Sequence, residues 1–114
     1  MCVFRFFAFA IGISWSESLL VGSLLGQKFV INEFVGYLSL AEIKASGALS
    51  DRAIMISTYA LCGFANLSSI GIQIGGIGVM APERRGDLSL LGFRALIGAS
   101  LATLMTAAIA GAIF

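Results

Sequence analysis

The chain has 114 residues, 59% of them hydrophobic and 11% charged, with a mean hydropathy of +1.01 and a formal net charge of +1. Soluble domains average about 25% charged residues, so this composition argues against an ordinary soluble fold and describes an integral membrane protein. The near-neutral charge gives no footing for nucleic acid as a partner, and a chain with no His and only Cys2 and Cys62 offers neither a His/Cys metal site nor a disulfide framework.

In chain order, residues 1–14 hold Arg5 in an aromatic-rich run. Ala8-Phe9-Ala10 mimics a signal cleavage site, but the apolar core before it is too short, so an interfacial helix or a truncated membrane segment is expected. Ser14 with Glu17 three residues on has the pattern of a capping box opening the next helix. Residues 15–41 contain two apolar runs, Leu19 to Leu25 and Phe34 to Leu40, each too short to cross a membrane. Gly26-Gln27-Lys28 and Asn32-Glu33 separate them, which predicts a re-entrant helical hairpin that enters the membrane and turns back.

A connector of mixed charge, Glu42 to Arg52, leads to Ala53–Ala81, which carries no Asp, Glu, Lys or Arg. As one helix it would reach about 43 Å at ~1.5 Å per residue, against a hydrocarbon core of about 30 Å. Glycines at 63, 71, 75, 76 and 78 and a polar island at Asn66, Ser68 and Ser69 predict a transmembrane helix broken near Gly63 to Ser69. Pro82 to Asp87, with Arg94 beyond, gathers three arginines and is expected in the cytoplasm, which puts the carboxyl terminus and the open end of the hairpin outside. Residues 88–114 read as a final transmembrane helix.

Two polar islands in apolar surroundings carry the functional expectation: Asn32-Glu33 and Asn66 with Ser68-Ser69. Polar groups at membrane depth are costly to desolvate and normally face a protein interior or a cavity where they act. A packing role stands beside this for Asn66, Ser68 and Ser69 as interhelical links, and a local ion pair with Lys28 stands beside it for Glu33. Lys28 and Arg94 are expected to snorkel to the interface, and Cys62 to be a small packing residue. No paired acid and base, activated nucleophile or phosphate loop is present, so an enzyme is not expected; Gly75-Gly76-Ile77-Gly78 lacks a basic partner.

Gly26-Gln27-Lys28-Phe29-Val30-Ile31-Asn32-Glu33-Phe34-Val35-Gly36-Tyr37 resembles the G-x-K-x-x-x-N-E-F-V-A motif of the concentrative nucleoside transporters, the NupC-like family. Gly63-Phe64-Ala65-Asn66-Leu67-Ser68-Ser69-Ile70-Gly71 resembles that family's G-F-A-N-F-S-S-I-G signature. Gly36 for Ala and Leu67 for Phe are the departures. The resemblance implies the C-terminal portion of such a transporter: an all-α integral membrane half of an inverted-repeat core, with the second re-entrant hairpin and the last two membrane helices. It implies nucleoside symport with sodium or protons, in which Glu33, Asn66 and Ser69 bind sugar hydroxyls and Phe64 packs against the nucleoside. The base and the coupling cation would be held mainly outside this chain, by an N-terminal part that completes the protein. A homotrimer and a multi-pass position in the bacterial inner membrane follow from the same resemblance. A small structural or regulatory membrane subunit, associating through glycine- and serine-rich helices, is the competing expectation.

Overall fold

The computed structural model describes residues 2–114, and among them it is all helical. The helices are α1 (Cys2–Ala10), α2 (Ser18–Val30), α3 (Glu33–Ser46), α4 (Asp51–Leu61), α5 (Leu67–Met80) and α6 (Arg85–Ile113), with a 3₁₀ turn at Pro82–Arg84 before the last.

Short polar residues decide where the helices start. Asn32 adopts extended backbone and its side chain accepts from the Val35 N–H at 3.0 Å, so α2 and α3 are joined by the two-residue turn Ile31–Asn32. Ser50 caps α4 through Ala53 N–H, and Asn66 caps α5 through Ser69 N–H. At the other end of α3, Gly47 takes a left-handed φ of 71° and returns its N–H to Ile43 and Lys44. Helix α3 therefore runs to Ser46, past the expected boundary at residue 41 and through Glu42 and Lys44. Charges mark where a helix leaves apolar surroundings, not where its hydrogen bonding ends.

The charge-free stretch is interrupted at Cys62–Asn66, between α4 and α5. Both pieces lie antiparallel along α6, as their close approaches show: Gly78 to Arg85, Ile70 to Gly92, Thr103 to Gly63 and Ile56 to Gly111. From Ile70 back to Gly63 the chain takes seven residue steps while α6 advances from Gly92 to Thr103. Those α6 residues rise about 16 Å, whereas seven helical steps would rise about 10 Å, and extended backbone in the break makes up the difference.

The core is confined to one half of a molecule 50 Å long. Ala8, Val21, Leu24, Ile56, Ala60, Leu61 and Ala107 are all at most 1% exposed, and they come from α1, α2, α4 and the second half of α6. A Cβ at Gly22 would fall 2.8 Å from Arg5 N, so α1 rests directly on α2. Arg5 fixes that crossing: its guanidinium lies 3.9 Å from the Trp15 ring centre and donates to Ser18 Oγ and Trp15 O.

The same end of the molecule is tied by polar contacts. Glu17 accepts from Ser50 N–H at 2.6 Å and from Ser14 Oγ at 2.8 Å, and Arg52 donates to Gly111 O at 2.6 Å. Ser14 and Glu17 thus meet, but not as the expected capping box: α2 begins only at Ser18, and the Glu17 carboxylate turns to the start of α4 instead. The Ser50 N–H, helped by the Ser14 hydroxyl, holds the Glu17 carboxyl below the usual carboxylate range. Helix α6 begins at Arg85, three residues before the expected start, and with the 3₁₀ turn it is the one helical stretch among the described residues long and apolar enough to cross a membrane.

Candidate substrate site

The hairpin turn and the break in the α4/α5 pair meet. Asn66 Nδ2 donates to Glu33 Oε2 at 2.9 Å, and Ser68 Oγ lies 3.0 Å from Ile31 O on the turn itself. Asn66 is fully buried and Ser69 is 5% exposed, while Glu33 is half-buried and Phe64, in the break, is 53% exposed. Of the four residues expected to form the site, Glu33, Asn66 and Ser69 are linked by hydrogen bonds, and Phe64 stands two residues before Asn66 on the same non-helical segment.

Local folding explains why these groups are held so firmly. Asn66 and Ser69 form a capping box: Asn66 Oδ1 accepts from Ser69 N–H at 2.8 Å, and Ser69 Oγ accepts from Asn66 N–H at 3.4 Å. Ser69 Oγ also donates to Asn66 O at 2.6 Å, and Ser68 Oγ sits 2.7 Å from Asn66 Oδ1. Glu33 is the first residue of α3 and its carboxylate reaches the cap of α5. The starts of two helices, α3 and α5, therefore meet at one carboxylate.

Counting bonds shows what remains for a ligand. The Asn66 amide oxygen is occupied by Ser68 and Ser69, and one of its two N–H groups goes to Glu33, so Asn66 offers one donor. The single proton of Ser69 is spent on Asn66 O, so Ser69 offers one lone pair. Glu33 keeps its second oxygen and part of the first as acceptors. One donor set among several acceptors suits vicinal hydroxyls, each of which both gives and takes a hydrogen bond.

Lys28 is the residue that sequence reasoning misplaced. Expected to snorkel, it is instead 4% exposed, and its ammonium donates to Ala60 O at 3.0 Å and to Thr103 Oγ1 at 3.2 Å. Ala60 lies in the last turn of α4, where carbonyls lack helical partners, so the ammonium sits at the negative end of that helix. A buried cation is tolerable with such partners. Lys28 makes no ion pair with Glu33 among the described residues; the ion pair found there is the exposed Arg84–Asp87 contact. Cys62 is likewise not a packing residue: it ends α4 and its thiol is exposed.

This arrangement of helices recurs in a solved structure described as CNTnw in an inward-facing, substrate-bound state, with a TM-score of 0.89 at 48% identity over 96% of this chain and 27% of that one. A family model described as the Na⁺ dependent nucleoside transporter C-terminus matches residues 1–111, and the chain belongs to that family. Among its relatives, the transporter YutK of Bacillus subtilis is 48% identical over 96% of this chain and 26% of its own length. The sodium/nucleoside cotransporter 1 of Rattus norvegicus is 42% identical over 98% of this chain and 19% of its own. The chain thus spans about a quarter or less of the length of these relatives. They are transporters and not enzymes.

Proposed function

We propose that this chain forms the sugar-binding side of the substrate site in a cation-coupled nucleoside transporter. The observation that carries the reading is the direct contact of Glu33 on the hairpin with Asn66 in the break, because it brings the two polar islands into one site. Glu33 accepts from the sugar hydroxyls, the free Asn66 N–H donates to one of them, Ser69 accepts through its remaining lone pair, and Phe64 lies against the nucleoside. The base and the sodium ion or proton are held by the part of the transporter outside this chain, as expected of an inverted-repeat core whose full-length form is a homotrimer in the cell membrane.

The helix geometry supports a re-entrant hairpin. Its turn meets the break, and Lys28 near the turn touches Thr103 in the middle of α6, so the hairpin reaches along only part of the span of α6. Its open end lies beside the carboxyl end of α6, through the Glu17–Ser50 and Arg52–Gly111 contacts, as a hairpin entering from the side of the carboxyl terminus requires.

The test is uptake of radiolabelled uridine into vesicles by a full-length transporter carrying this chain. Glu33→Gln keeps the side-chain size and removes charge-assisted acceptors, so binding should weaken by about 1.5–3 kcal/mol, roughly 10- to 150-fold. The loss should be alike for purine and pyrimidine nucleosides and smaller for analogues without sugar hydroxyls. Full activity of Glu33→Gln would overturn the assignment, as would concentrative uptake by the 114-residue chain alone.

A further inference from the structure

The polar contacts around the turn and the break close a ring. One side is the backbone of the hairpin turn from Lys28 to Glu33, and the other is the backbone of the break from Ala60 to Asn66. Two polar contacts join them: Lys28 Nζ to Ala60 O at 3.0 Å, and Asn66 Nδ2 to Glu33 Oε2 at 2.9 Å. Residues on both sides are fixed elsewhere. Thr103 Oγ1 accepts a second Lys28 N–H, and a Cβ at Gly63, where φ is +148°, would fall 2.5 Å from Thr103 Cγ2 and 3.8 Å from Lys28 Nζ. The ammonium, Thr103 and the start of the break are therefore packed against one another, and α6 is the wall behind them.

The two contacts differ in what a ligand does to them. Glu33 is only half-buried and faces the site proposed above, so a sugar that reaches its carboxylate must share or replace its hydrogen bond with the buried Asn66. Lys28 and Ala60 are both buried and use none of the groups left free for hydroxyls. When the first contact yields, the second still fixes the hairpin against α4. We infer that Lys28 is a positioning residue: by holding Ala60 and Thr103 it keeps Glu33 and Asn66 in the register that a sugar diol spans. This rests on the nucleoside reading of the site, and it adds a residue that touches no substrate.

In the full-length transporter, uptake kinetics are compared for uridine and for 2′,3′-dideoxyuridine, which lacks the hydroxyls, with rates normalised to protein in the membrane. Lys28→Met should raise the KM for uridine roughly tenfold, the order of a lost charge-assisted hydrogen bond, and the KM for the dideoxy analogue by less than about threefold. Lys28→Arg, which retains a cationic donor, should recover most of the difference. Thr103→Val removes one acceptor and keeps the side-chain shape, so it should shift uridine in the same direction by less; it carries the test where Lys28→Met does not reach the membrane. Equal losses for the two substrates, or an unchanged KM with less protein in the membrane, would overturn the inference.

A second readout is independent of transport. Amide hydrogen exchange at Ala65 to Ser69 should speed up in Lys28→Met and stay slow in Lys28→Arg, and unchanged exchange in Lys28→Met would overturn the clamp itself. A wild-type protein that carries no uridine, beside Lys28 variants that show this exchange pattern, would sink the nucleoside reading and leave the clamp standing.

Discussion

The two halves of the molecule are built on different terms. Around α1, α2, α4 and the second half of α6, side chains interlock into a core in which Val21, Ile56, Ala60 and Leu61 have no exposed surface. Along α5, the 3₁₀ turn and the first half of α6, apolar residues are just as abundant but face outward: Ile72 is 60% exposed, Val79 69% and Met80 85%. Only Ser69, Gly78 and Leu96 are buried in those helices before residue 100. The break and the hairpin turn lie at the boundary. The turn and the break are therefore held from one side, by a half that packs on itself, while the other half leaves its apolar residues exposed.

The largest expected effect that sharpens this contrast is in the core. Ile56→Ala removes a side chain wedged against Gly111, whose added Cβ would lie 2.9 Å from Ile56 Cδ1, and should cost about 2–5 kcal/mol. Ile77→Ala, on the exposed face of α5, should cost well under half of that when measured as thermal midpoint of the full-length protein in detergent. Similar losses at the two positions would mean that the second half is packed as firmly as the first.

Gly63→Ala comes next. It places a side chain at φ +148° and drives its Cβ into Thr103, so a loss of about 1–3 kcal/mol is expected from the backbone strain alone. Gly71→Ala, where a Cβ meets nothing within 4 Å and the helix is regular, is the control and should be neutral or stabilising.

These two glycines also show how far the sequence could be read. The interruption was legible because a charge-free stretch too long for one span carried glycines and a polar island at its middle, and the turn was legible because Asn32-Glu33 separated two runs too short to cross. What escaped depends on contacts distant in the chain. Nothing local announces that the acceptors of Lys28 are Ala60 and Thr103, so a lysine near an apolar run reads as a snorkelling one. Glu17 misled for the same reason: its near neighbour Ser14 completes a local pattern, yet the N–H it needs belongs to Ser50. The Asn66–Ser69 capping box was open to discovery, since an Asn followed three residues later by a short polar side chain is a helix start as much as a pair of ligands.

The smallest effect is at the base of the hairpin. Because the folded-state carboxyl of Glu17 titrates below its unfolded value, its contribution is present above the ordinary carboxylate range and is lost as pH falls through the depressed value. Lowering pH from neutral to below that range should therefore reduce the thermal midpoint slightly more in wild type than in Glu17→Gln. An identical pH dependence in the two proteins would remove Glu17 from the account of how the hairpin is moored.

If the hairpin turn and the break form one sugar site, a double-mutant cycle on uridine affinity should reveal their coupling. Glu33→Gln, Asn66→Ala and the double variant are compared in the full-length transporter, alongside uridine analogues lacking the sugar hydroxyls. Residues that share a hydrogen bond and a ligand should be coupled, with the double loss smaller than the sum of the single losses by about 1 kcal/mol or more, and the coupling should shrink for the analogues. Strictly additive losses, or coupling of equal size with and without the sugar hydroxyls, would contradict the claim.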